Sequence, residues 1–140
     1  AALEEYGPLY PLLKHKPEFL FEAAQSLSKT GQYEKANEYL ERAVLLSSDP
    51  MLYYVMAKNE QCLGEYRQAE KHLLHAIDIL PERIYPYYLL MNLYTEPSYF
   101  QPAKLKKAID SVLTKKPKVE SSAIKEMKEK ARSMLNNTSI

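Results

Sequence analysis

The feature that most constrains this chain is an internal repeat. Gly31, Tyr33, Ala36, Leu40 and Ala43 recur 33 residues later as Gly64, Tyr66, Ala69, Leu73 and Ala76. The same offset carries Leu20 and Ala24 onto Tyr53 and Ala57. So many matches in one register are not chance, and the unit they define holds two helix-period stretches with a glycine between them. Such a hairpin cannot bury its apolar face alone and has to stack on its neighbours. A third, degraded copy follows at offset 34, taking Tyr53 to Tyr87, Met56 to Leu90, Tyr66 to Phe100 and Ala69 to Ala103, with Ser98 where Gly64 stood.

The repeated residues have physical reasons to be where they are. Ala24 and Ala57 on the first helix, and Ala36, Ala43, Ala69 and Ala76 on the second, allow the axes to cross closely; larger side chains would push them beyond the usual ~8–10 Å. Gly31 and Gly64 suit the left-handed residue that ends a helix. Asp49-Pro50 and Pro81 punctuate the ends of the repeats, because proline removes a helical donor and restrains the residue before it. These landmarks predict helices near 17–30, 34–47, 50–63, 67–80, 84–95 and 101–115. A seventh is expected near 121–135, where Ile124, Met127, Ala131 and Leu135 share a face.

These residues resemble the tetratricopeptide repeat, whose period is about 34 residues. The resemblance implies an all-α, right-handed solenoid of about three helix hairpins, read as repeats at 17–50, 50–83 and 84–117. A capping helix follows at 119–135 and a tail at 136–140. Gly7-Pro8 and Pro11 break the chain at the front, where Leu9, Leu12 and Leu13 are expected to form a docking segment within 1–16. In such arrays the first helices line a concave face, which here would hold a binding groove of Phe21, Gln25, Tyr54, Lys58, Tyr85, Tyr88 and Asn92, with Met51 and Gln61 nearby. Tyrosine offers large contact area with a polar tip, which suits a bound protein segment. A subgroup of these repeats clamps a C-terminal carboxylate with Lys, Asn and Arg, but the matching places hold Phe21, Gln25, Val55, Tyr85 and Leu89, so that mode is not expected.

Outside the repeat consensus, Leu9-Tyr10-Pro11-Leu12-Leu13, Pro17-Glu18-Phe19-Leu20, Pro81 to Tyr88, and Lys118-Val119-Glu120-Ser121 running into Ile124-Lys125-Glu126-Met127 resemble the C-terminal region of O-antigen ligase or polymerase proteins of Bacteroides-type bacteria. The resemblance implies an accessory module tethered to the bacterial inner membrane by segments outside this sequence, and it carries over no catalytic residue. The start at Ala1, without a signal-like leader, likewise reads as a piece of a larger protein.

Composition narrows the function. The chain carries 19 Lys and Arg, 18 Asp and Glu, three Gly and one Cys in 140 residues, so no internal disulfide is available and packed helices are favoured. Its apolar runs fall short of the ~18–20 residues of a membrane span. Residues 104–132 hold ten Lys or Arg against four acids, a net +6; with the whole chain at +1, the remainder carries about −5. Lys104, Lys106, Lys107, Lys115, Lys116 and Lys118 form a basic patch that could meet anionic lipid headgroups or a phosphorylated glycan carrier, the alternative function. Nucleic acid is not expected, since aromatic residues are not interleaved with those lysines. His72 and His75 lack further metal ligands at a matching spacing and read as surface residues; Cys62 reads as a packing residue. No phosphate loop, nucleophile elbow or carboxylate pair is present. The expectation is a non-enzymatic scaffold that binds a protein segment or packs on its own parent membrane protein and needs no cofactor.

Overall fold

The computed structural model describes residues 15–137. Over them the chain folds as α1 (Pro17–Lys29), α2 (Tyr33–Ala43), α3 (Met51–Cys62), α4 (Tyr66–Ile79), α5 (Tyr85–Tyr94), a 3-10 turn (Pro97–Tyr99), α6 (Pro102–Thr114) and α7 (Ser122–Asn137), with no strand among the described residues. The docking segment expected at Leu9, Leu12 and Leu13 lies outside the described residues. Helix α2 stops short of the expected residue 47. Beyond Ala43 the backbone tightens into i to i−3 bonds, Leu45 N–H to the Arg42 carbonyl (3.2 Å) and Leu46 N–H to the Ala43 carbonyl (2.9 Å). Leu45 is left 84% exposed.

The chain divides into two compact units, Ala1–His75 and Ala76–Ile140, with the boundary inside α4. In the first unit α1 packs on α2, and α2 on α3, around a core that includes Leu20, Ala24, Leu27, Ala36, Leu40, Ala43 and Met56. The repeated alanines of the first two copies are all buried, Ala57 at 2% and Ala69 at 0% exposure. Replacing Ala57 or Ala69 by Leu therefore overpacks the interior and should cost ~1–3 kcal/mol. Thermal melting checks this, and an unchanged midpoint for both variants would mean that the space is not filled.

Both tight turns close in the same way. Gly31 (φ +82°) and Gly64 (φ +77°) are the only described residues with positive φ. An added Cβ would meet no atom within 4 Å at either place, so glycine is required by backbone conformation rather than by space. Each turn satisfies two orphan carbonyls in a Schellman pattern. Gln32 N–H reaches the Leu27 carbonyl (2.9 Å) and Gly31 N–H that of Ser28 (3.1 Å); Glu65 N–H reaches Glu60 (2.8 Å) and Gly64 N–H reaches Gln61 (3.1 Å).

The third turn is built differently, which corrects the register expected at offset 34. Pro97 stands where the second Schellman donor would be and has no N–H, so the Thr95 hydroxyl donates to the Asn92 carbonyl instead (2.7 Å). Glu96 N–H still reaches Leu93 (3.1 Å). The extra 3-10 turn displaces the second helix of this hairpin. Ala103 is exposed and Phe100 is 50% exposed, while Leu105, Ile109 and Val112 are fully buried. Those three take the places of Ala69, Leu73 and Ala76, 36 residues on. In this unit α5 packs on α6, α6 on α7, and α5 also meets α7.

Helix α7 buries only Ala131 fully; Ile124, Met127 and Leu135 are half-buried. Its start is capped by the Ser121 hydroxyl, which accepts from Ile124 N–H (3.2 Å). Its attachment to α6 is polar. Lys128 Nζ donates to the carbonyls of Val112 (2.8 Å), Leu113 (3.2 Å) and Lys115 (3.0 Å). One ammonium thus satisfies three of the carbonyls at the end of α6, and it lies at the negative end of that helix dipole.

Candidate interaction surface

The seven residues expected to line a groove fall into two sets, one in each unit. In the first unit Gln25 and Lys58 are exposed, and Phe21 is half-buried against the core. Tyr54 departs from expectation: it is 6% exposed and belongs to the interior, so it offers a partner almost no surface. Met51, at 43% exposure, is open.

In the second unit Tyr85, Tyr88 and Asn92 recur at i, i+3 and i+7 on one face of α5, and all three are half-exposed. The rings of Tyr85 and Tyr88 stack with centroids 6.4 Å apart and planes inclined by 23°. From α7, Lys130 places its ammonium 5.5 Å from the centre of the Tyr88 ring, within cation–π range. Asn92 Oδ1 is buried and has no hydrogen-bond partner among the described residues. Lys130 was not part of the expected site.

The lysines expected to form one basic patch do not share a face. At 100° per residue, Lys104 and Lys106 point ~160° apart around α6, with Lys107 between them on the solvent side. Lys115 is half-buried and lies 5.0 Å over the Tyr87 ring, and Lys104 lies 6.0 Å over that of Tyr94. Lys116 and Lys118 are exposed.

Two other clusters carry polar chemistry. Cys62 is exposed rather than packed. Its side chain hydrogen-bonds Tyr33, and that bond, followed by the nearby thiol's charge and then by desolvation, raises the phenol above its ordinary pKa. Beside it lies an open depression of about 560 Å³, lined by Glu34, Lys35 and Glu38 among others.

The second cluster centres on Glu60, which is 5% exposed. His72 Nδ1 sits 2.7 Å from its Oε1; a carboxylate only accepts, so the imidazole N–H donates. Tyr53 approaches the His72 ring at 5.8 Å and that of His75 edge-on at 4.7 Å. His72, read from sequence as a surface residue, is thus tied into the hairpin interior. No group of His, Cys, Asp and Glu among the described residues could hold a metal ion, and no described helix is long and apolar enough to cross a membrane.

With the hairpins and their surfaces defined, comparison with known proteins places the chain. A family model described as anaphase-promoting complex, cyclosome, subunit 3 matches residues 2–76. The chain belongs to that family of tetratricopeptide-like repeats. Two crystal structures of MamA match the fold. One has a TM-score of 0.71 and 20% identity over 94% of this chain and 75% of that one. The other has 0.72 and 19% over 96% and 77%. The fold is therefore the all-α tetratricopeptide solenoid class. No curated protein matches the chain at a significant level.

Proposed function

We propose that this chain is a non-catalytic scaffold that binds a protein segment, and that it serves as the accessory module of a membrane protein of O-antigen or polysaccharide assembly. The observation that carries the binding role is the stacked, half-exposed pair Tyr85 and Tyr88. Aromatic side chains left half-open on a rigid helix supply contact area at low entropic cost. Repeats of this kind mediate protein–protein interaction, which supports the same reading. The tie to a polysaccharide-assembly protein rests on the motif residues Pro81 to Tyr88 and Lys118 to Met127.

The test compares proteins cross-linked to the wild-type chain with those cross-linked to the Tyr85→Ala/Tyr88→Ala variant, after circular dichroism shows that the variant is folded. Partners are expected to be lost from the Tyr variant and retained by Lys71→Ala and Glu38→Ala, both at exposed positions; each lost aromatic anchor should cost more than ~1 kcal/mol. An identical partner set for all variants sinks the binding reading. If the native protein carrying this chain fails to fractionate with membranes, the polysaccharide-assembly reading falls separately. A chain whose only association is with anionic vesicles, abolished by neutralising Lys106, Lys107, Lys115 and Lys116, would instead be a headgroup-docking module.

A further inference from the structure

We infer that the surface formed by Tyr85 and Tyr88 of α5, edged by Lys130 of α7, takes an acidic protein segment, with its carboxylates at Lys130 and its apolar atoms against the two rings. This rests on the scaffold reading above and names the chemistry of the partner. The first ground is the geometry of Lys130. It is exposed, and Glu126 lies one helical turn before it, yet Lys130 makes no ion pair among the described residues and directs its ammonium 5.5 Å from the Tyr88 ring centre instead. A cation held over an aromatic ring without a carboxylate keeps most of its capacity for an incoming anion.

The second ground is charge. The segment 104–132, to which Lys130 belongs, carries a net +6. That surplus draws an acidic partner and repels a basic one. The third ground separates a protein segment from a lipid surface. The lysines of α6 fan around the helix, Lys104 and Lys106 ~160° apart, so one membrane plane cannot meet both. A stacked tyrosine pair with a lysine at its edge offers a narrow strip, the shape of an extended chain or one helix face.

The experiment selects random 12-residue peptides from a display library on the immobilised chain and measures the selected peptides by titration calorimetry. The variants are Lys130→Glu, Tyr85→Ala/Tyr88→Ala and Lys106→Glu/Lys107→Glu. Selected peptides should be enriched in Asp and Glu. Lys130→Glu should weaken them about tenfold or more, and the Tyr variant similarly, while Lys106→Glu/Lys107→Glu changes affinity by less than about threefold. Because Lys130 is exposed, its variant keeps the test decisive even if the Tyr variant fails to fold. Peptides without acid enrichment, an unchanged affinity for Lys130→Glu, or an equal loss with Lys106→Glu/Lys107→Glu would overturn the inference while leaving the scaffold reading intact. A library yielding no binder also overturns it, and the cross-linking comparison then judges the scaffold reading by itself. Binding of phosphatidylglycerol vesicles alone, lost in Lys106→Glu/Lys107→Glu, would assign the charge to membranes and reject the acidic segment.

Discussion

Replacing His72 with Phe should destabilise the fold by about 1–3 kcal/mol or more, because it leaves the buried Glu60 carboxylate without its hydrogen-bond partner. Glu60 and His72 meet at 2.7 Å with side-chain exposures of 7% and 17%. At offset 33 these two residues correspond to Leu27 and Tyr39 of the first hairpin, both buried there. The second hairpin has thus exchanged an apolar pair for a hydrogen-bonded ionisable one at the same place. The double variant Glu60→Leu/His72→Phe, which returns an apolar pair, should lie within about 1 kcal/mol of the parent or be more stable, since replacing both partners of a buried hydrogen bond by apolar groups is nearly neutral or stabilising. Urea denaturation of the two single variants and the double variant gives the coupling directly. A His72→Phe variant as stable as the parent would show that Glu60 is satisfied by another group.

The second large effect is expected at Lys128. Methionine there keeps much of the aliphatic stem and removes all three hydrogen bonds to the carbonyls of Val112, Leu113 and Lys115. Charged hydrogen bonds contribute ~1.5–3 kcal/mol each and do not add fully, so a loss of about 2–4 kcal/mol is expected. Since α7 fully buries only Ala131, the loss should appear as detachment of α7. Limited proteolysis should cleave Lys128→Met within residues 115–121 well before the parent chain, and the urea midpoint should fall. Arginine at 128 should rescue only in part, because its planar fork does not reproduce three converging donors. Equal cleavage of parent and variant would mean that α7 is held by its apolar face alone.

The helices were legible because glycine, proline and alanine act locally. Gly31 and Gly64 mark the left-handed turns, and the buried alanines follow the repeat. The third hairpin was misread because a constant offset was carried through a turn that Pro97 and Thr95 rebuild, and only the buried positions Leu105, Ile109 and Val112 reveal the shift. Tyr54 was misplaced because tyrosine serves both interiors and surfaces, and its own helix does not decide which. Three residues could have been found from the sequence. Glu60 and His72 fall on apolar positions of the preceding repeat, and Lys128 falls on the Ile124, Ala131 and Leu135 face of α7, where a lysine has to find acceptors.

Tandem hairpins that share a register carry a risk that single-copy folds do not: one helix can dock against the wrong copy of its neighbour. The amides between α2 and α3 act against such mispairing. Asn59 Nδ2 donates to Asn37 Oδ1 (2.8 Å), and Asn37 Nδ2 donates to the Met56 carbonyl (3.3 Å), with the two residues 2% and 8% exposed. The places 33 residues away hold Ser26 and Glu70, so neither amide finds its mate if the copies are exchanged. A swapped arrangement would lose this paired amide geometry, each bond of which contributes ~0.5–1.5 kcal/mol net, a difference that favours the native order of assembly while the apolar contacts of the two copies remain nearly interchangeable.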